Sequence, residues 1–231
     1  SPTPDRQITK AMVSKPMKKL FEFLRSKRDP KKHWENAYQK ESPEELSWYQ
    51  DRPEMSLELI AATEVGLNHN IIDIGGGTSK LASLLVAQGY KKVTVLDIAA
   101  LPIEQAKSRL GAQADKITWI EADVTNYNFK EKYDIWHDRA VFHFLTDIQD
   151  RKRYVDAVQQ SLKAGGHLII ATFGLKGPRK CSGLHVVRYS PETLQNELGK
   201  NFDLVETFIE VHSTPSKVQQ KFIYCHFTKR S

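Results

Sequence analysis

The chain has 231 residues, 40% hydrophobic and 27% charged, with a net charge of +6. That length gives one domain, or one domain with an extension. No apolar run approaches the ~20 residues that span a bilayer, and two cysteines, Cys181 and Cys225, exclude a disulfide scaffold and fit a reducing, cytoplasmic setting.

The charge is unevenly placed. Residues 1–32 carry ten Lys/Arg against three acids, and the other 199 residues are close to neutral. The basic pI of 9.1 therefore describes an extension, residues 1–32, ahead of a domain over residues 33–231. Within the extension Pro16 can open a helix, and Met17, Leu20, Phe21 and Leu24 follow at i, i+3, i+4, i+7. This predicts a short basic amphipathic helix ending near Asp29-Pro30.

From Asn70 the pattern alternates. Strands are predicted at Asn70–Ile74, Lys92–Leu96, Ile117–Ile120, Tyr133–Trp136 and His167–Phe173. Helices are predicted at Ser79–Gln88, Ile103–Leu110 and Gln149–Leu162, the last stopped by Gly165-Gly166. Nearly continuous apolar strands between helical periods mean a parallel sheet covered on both faces. Gly174–Tyr189 shows no clear element. Phe202–Val211 and Val218–Thr228 are joined by too short a link for a crossover, so they pair antiparallel. The fold class is α/β: a doubly wound, mostly parallel, seven-stranded Rossmann-like sheet with a C-terminal antiparallel hairpin.

The strongest local signal is Asp73-Ile74-Gly75-Gly76-Gly77-Thr78-Ser79, a glycine turn between a buried strand and a helix. Glycines let a ligand approach the backbone, and the helix start offers free N–H groups. A dinucleotide site in this register needs a small residue where Lys80 stands, which argues against NAD. Asp97 ends the second strand, where a carboxylate accepts from both ribose hydroxyls. Asp123-Val124 follows the third strand, where an acid can accept from an adenine amino group and the next N–H can serve a ring nitrogen.

These features, with the antiparallel hairpin, resemble the class I, seven-strand S-adenosylmethionine-dependent methyltransferases. His33-Trp34-Glu35-x-x-Tyr38, Ser47-Trp48-Tyr49-Gln50, Trp136 to Leu145 and Cys181-Ser182-Gly183-Leu184 resemble, more closely, small bacterial methyltransferases related to protein-lysine methyltransferases. The resemblance implies S-adenosylmethionine as cofactor and S-adenosylhomocysteine as product. It implies that Asp73, Gly75, Gly77 and His137 line the methionine end, that Asp97 and Ile98 meet the ribose and adenine, and that Asp123 and Val124 read the adenine edge. Trp34, Tyr38, Trp48 and Tyr49 would form a cover, and aromatic faces attract a sulfonium cation by ~0.5–2 kcal/mol.

Methyl transfer needs alignment and water exclusion, and a base where the acceptor arrives protonated. His143 and Asp138, after the fourth strand, are the expected catalytic residues. No paired metal-ligand motif is present, so no metal is expected. The expected acceptor is a protein lysine, with a small thiol, amine or carboxylate as alternative. A non-catalytic cofactor-binding module is a further reading. Nucleic acid is not expected: the residues after strand four, His137-Asp138-Arg139-Ala140, lack the Asp/Asn-Pro-Pro-Tyr/Phe of base-amine enzymes. A monomer or homodimer without integral membrane association completes the expectation.

Overall fold

The computed structural model describes residues 29–231, so the amphipathic helix expected near residues 16–29 lies almost wholly outside the described residues. Helix α1, Pro30–Lys40, starts where Asp29 accepts from the Lys32 N–H and proline occupies the first turn. Helix α2 is Glu54–Ala62.

The sheet then builds in alternation: β1 Asn70–Ile74, α3 Leu81–Ala87, β2 Lys92–Asp97, α4 Ala100–Leu110, β3 Ile117–Glu121, β4 Tyr133–Arg139, α5 Ile148–Ser161 and β5 Leu162–Phe173. Two-residue strands β6 Lys180–Cys181 and β7 Leu184–His185 form a small hairpin. Helix α6 Pro191–Leu198 leads into β8 Phe202–Ser213 and β9 Gln219–Lys229. The seven-stranded order is β3-β2-β1-β4-β5-β9-β8. The first five strands are parallel, and β9 and β8 run antiparallel.

The core lies in two layers, one on each sheet face. Leu57, Ile60, Leu81 and Leu85 from α2 and α3 meet Ile71, Ile135 and Ile169 on one side. Tyr154, Val158, Leu194 and Leu198 from α5 and α6 meet Ile72, Trp136 and Leu168 on the other. Each such side chain, fully buried, contributes roughly 1.5–3 kcal/mol. Alternation along β4 therefore sends Ile135 to one layer and Trp136 to the other.

Several boundaries differ from those expected. Strand β4 continues three residues further, to Arg139. Helix α5 ends at Ser161, because Leu162 turns extended and buries its side chain. Gly165-Gly166 is not the stop: both lie inside β5, where Gly165 has φ +72° and a Cβ on Gly166 would approach Lys163 O to 2.9 Å. The stretch Gly174–Tyr189 carries the β6–β7 hairpin, turned by Ser182 and Gly183 at φ +49° and +76°. Among the described residues no helix is long and apolar enough to cross a membrane.

Candidate active site at the carboxyl ends of the strands

Strand β1 delivers Asp73 and the glycine turn. Gly75 has φ +65°, and a Cβ there would collide with Val141. Gly77 has φ +40°, and its Cβ would lie 2.8 Å from Tyr38 Oη and 3.0 Å from Asp97 Oδ2. Both positions need glycine for conformation and for space. Asp73 is buried; its Oδ1 accepts from His137 Nδ1 at 2.7 Å, and His137 Nε2 lies 2.9 Å from Ser56 Oγ. Its Oδ2 has no partner and sits under Gly76. An orphaned carboxylate oxygen beneath an anion-shaped turn is costly unless something cationic completes it.

Asp97, at the end of β2, is 5% exposed and accepts from the Ala99 N–H at 2.9 Å. Burial pushes its carboxyl up to about 7. Asp123, half-buried after β3, accepts from the Thr125 N–H and hydroxyl and from the Asn126 amide. Val124 beside it is buried and Ile98 half-buried.

Helix α1 and the segment behind it form the cover. Trp34 meets Trp48 edge-on at 5.5 Å and Phe144 at 4.9 Å, and Tyr38 meets Trp48 at 5.9 Å. Glu35 fixes α1 in place: its two oxygens accept from the Ala100 and Leu101 N–H groups at the start of α4, at 2.7 and 3.2 Å. A carboxylate suits that helix end.

These parts enclose a cavity of about 620 Å³, lined by Trp34, Tyr38, Trp48, Gly75, Asp97, Ile98, Asp123 and Val124. A smaller annex of about 60 Å³ adjoins it through Tyr38, Trp48, Gly75 and Arg139, and holds Tyr49, Asp73 and His137. Gly77 lines neither space and acts through the bend it allows. The size is that of a cofactor-sized pocket.

Strand β4 places its residues differently from expectation. Asp138 points to the α5 side, is fully buried, and accepts from the Val141 and Phe142 N–H groups and from Tyr154 Oη at 2.8, 3.1 and 2.5 Å. Burial raises its carboxyl to about 6 against the opposing pull of these donors. It anchors the turn after β4 and does not line the cavity. His143 is also fully buried, accepts from the Phe173 N–H through Nδ1, and keeps an enclosed Nε2 with no partner. Burial, with Arg139 nearby, lowers it to about 3, so the ring is neutral. It packs against Phe173 while its neighbour Phe144 faces the cavity.

Arg139, a candidate for the acceptor side from its place after strand four, lines the cavity, as do Val141 and Phe144, which were not expected there. Arg139 was legible: it shares the His137 face of β4 by strand alternation. Among the described residues no group of three or more His, Cys, Asp or Glu is arranged to hold a metal.

The sheet order, with a glycine turn after β1 and acids at the ends of β2 and β3, is the fold of the class I, seven-strand S-adenosylmethionine-dependent methyltransferases. Residues 71–166 match the family described as methyltransferase domain. The chain is similar to malonyl-acyl-carrier-protein O-methyltransferase 1 of Ilyobacter polytropus, 32% identical over 47% of this chain and 39% of that one. It is 25% identical to the eEF1A lysine and N-terminal methyltransferase of Mus musculus, over 59% of this chain and 20% of that one. The matched stretch thus spans well under half of either curated relative. In fold it resembles the N-methyltransferase NodS of Bradyrhizobium japonicum WM9 solved with S-adenosylhomocysteine, with TM-score 0.59, 21% identity, and coverage of 79% of this chain and 90% of that one.

The residues fit the cofactor of this class. The unpartnered Asp73 oxygen suits an ammonium, the glycine turn leaves room that a Cβ would fill, and Asp97 presents a carboxylate to the main cavity.

Proposed function

We propose that the protein transfers a methyl group from S-adenosylmethionine to an acceptor that enters the 620 Å³ cavity. The observation that carries this reading is the convergence of the glycine turn, Asp97 and Asp123 on one cleft of cofactor size. When bound, S-adenosylmethionine supplies a methyl group on a sulfonium that leaves as a neutral thioether.

In this reading Asp73 takes the amino end, Asp97 accepts from the ribose hydroxyls, and Asp123 with the Val124 N–H reads the adenine edge. The Gly75 and Gly77 bends let the chain approach. Trp34, Trp48 and Tyr38 exclude water and offer aromatic faces to positive charge. Tyr49 and His137 act from the annex, His137 by holding Asp73. Alignment and water exclusion supply most of the rate.

The name of the mouse relative supports a protein lysine as acceptor, and that of the Ilyobacter relative a carboxylate. The test is calorimetry with S-adenosylhomocysteine and NAD, followed by labelled methyl transfer. Binding of NAD without S-adenosylhomocysteine overturns the reading. Tight binding with no transfer to protein, small-molecule or nucleic-acid fractions leaves a binding module instead.

A further inference from the structure

Among the described residues, the cavity lining carries one Lys or Arg, Arg139. Arg139 is 10% exposed, lies with its guanidinium 4.4 Å from the centre of the Phe222 ring, and lines both the annex and the main cavity. Its Nε donates to Tyr224 Oη, Nη1 to Trp48 O and Nη2 to Glu210 Oε2. A guanidinium has five N–H groups. One on each terminal nitrogen is therefore left over among the described residues, so the guanidinium keeps two donors that a carboxylate could use. Glu210 is itself held by Gln50 Nε2 at 2.9 Å, so it braces the fork on the side away from the cavity lining.

Two histidines line the cavity among the described residues: His33, whose Nε2 is buried without a partner, and His185, exposed on the hairpin. His143 lies behind Phe144 and lines neither space. Cys181, on the hairpin that closes the cavity, is 7% exposed, and burial pushes its thiol up to about 11. The acids near the mouth are committed as helix caps or ion pairs: Asp29 caps α1, Asp147 caps α5, and Asp150 pairs with Arg153. The segment 174–189 above them carries Lys176, Arg179, Lys180 and Arg188 and no acid. A lysine ammonium seated beside Arg139 would be desolvated next to a like charge and would have to pass its proton to one of these histidines or to solvent before it could react. A carboxylate needs no base, since it is already ionised near pH 7.

We propose that the acceptor is a carboxylic acid, seated through its carboxylate on Arg139 against Phe222 and esterified there. The inference rests on the methyl-transfer reading above. One carboxylate oxygen forms the new O–C bond while the methyl C–S bond breaks and its electron pair returns to sulfur. The acid loses its charge, the sulfonium becomes a thioether, and no proton is released.

The full chain is incubated with methyl-labelled S-adenosylmethionine and, separately, a cell extract, glutarate and N-acetyl-lysine amide. Mild alkali then frees methyl esters as volatile methanol and leaves N- and S-methyl groups in place. The expected result is alkali-released label from the extract or from glutarate, at a rate flat from pH 6 to 9 with S-adenosylmethionine saturating. An amine acceptor would instead gain about tenfold per pH unit over that range. Arg139→Gln should cut ester formation at least tenfold, with S-adenosylhomocysteine affinity within about threefold of wild type. Alkali-resistant label, or no label while S-adenosylhomocysteine still binds, overturns the carboxylate assignment and leaves the cofactor reading standing. Loss of S-adenosylhomocysteine affinity in a folded Arg139→Gln assigns Arg139 to the cofactor and also overturns it. Failure of the wild type to bind S-adenosylhomocysteine refutes the methyl-transfer reading itself.

Discussion

Asp97→Asn isolates the role of one buried carboxylate. In the wild type, two ribose hydroxyls donating to an ionised group are worth ~1.5–3 kcal/mol each, against ~0.5–1.5 for a neutral bond. Asn keeps one accepting oxygen, so the variant should lose about 2–4 kcal/mol, or about 30- to 1000-fold in S-adenosylhomocysteine affinity. A pH signature accompanies the loss. Burial raises the Asp97 carboxyl from 3.8 to about 7 in the free protein, so the folded state holds this proton more tightly than the unfolded one. Its contribution to stability is then most favourable below pH ~4, declines as pH rises to about 7, and is flat above. The ribose hydroxyls favour the ionised form, so binding expels a proton and affinity climbs with pH until about 7. Calorimetry at pH 6 in two buffers of different ionisation enthalpy measures that proton, and melts from pH 4 to 8 measure the slope. Asp138, raised to about 6, contributes its own slope to both proteins, so the difference between them is the quantity of interest. Affinity within threefold of wild type, with no proton expelled by either protein, would refute the ribose assignment.

Gly75→Ala should lower stability by ~1–3 kcal/mol in a denaturant titration, from positive φ and collision with Val141, and should weaken cofactor binding measured by calorimetry. His143→Gln should leave the pH–rate profile and cofactor affinity unchanged, since the imidazole lies outside the cavity; a hundredfold fall in kcat with loss of the acid limb would restore it as a base. Tyr154→Phe removes the donor to Asp138 and the acceptor of Trp136 Nε1, which should cost ~1–3 kcal/mol in thermal melts and leave cofactor affinity intact below the transition.

The parallel sheet was legible because β1, β2 and β4 are buried on both faces and read as apolar runs, and a five-residue link between β8 and β9 permits only a hairpin. The glycine turn and the spacing of Asp73, Asp97 and Asp123 follow from strand–helix repeats, so they locate one edge of the sheet without any side-chain contact being known. After β4 the pleat decides which side chains face the cavity. His137 and Asp138 are adjacent in a strand, so they cannot share a face; Asp138 takes the side of Tyr154, and Arg139 returns to that of His137. Gly165-Gly166 misled because glycine ends helices and also fits a strand whose neighbours crowd its Cβ; only the contact of Gly166 with Lys163 O and Asp134 O separates the two. The β6–β7 hairpin is too short to leave a period in the sequence.

The grip of Glu35 on the start of α4 ties the cover to the sheet. Its two charge-assisted hydrogen bonds, about 3–6 kcal/mol together, oppose any lifting of α1 from the cavity. Under the methyl-transfer reading proposed above, a molecule beneath Trp34 and Trp48 would then stay longer the firmer that grip, and weakening Glu35 would shorten its residence.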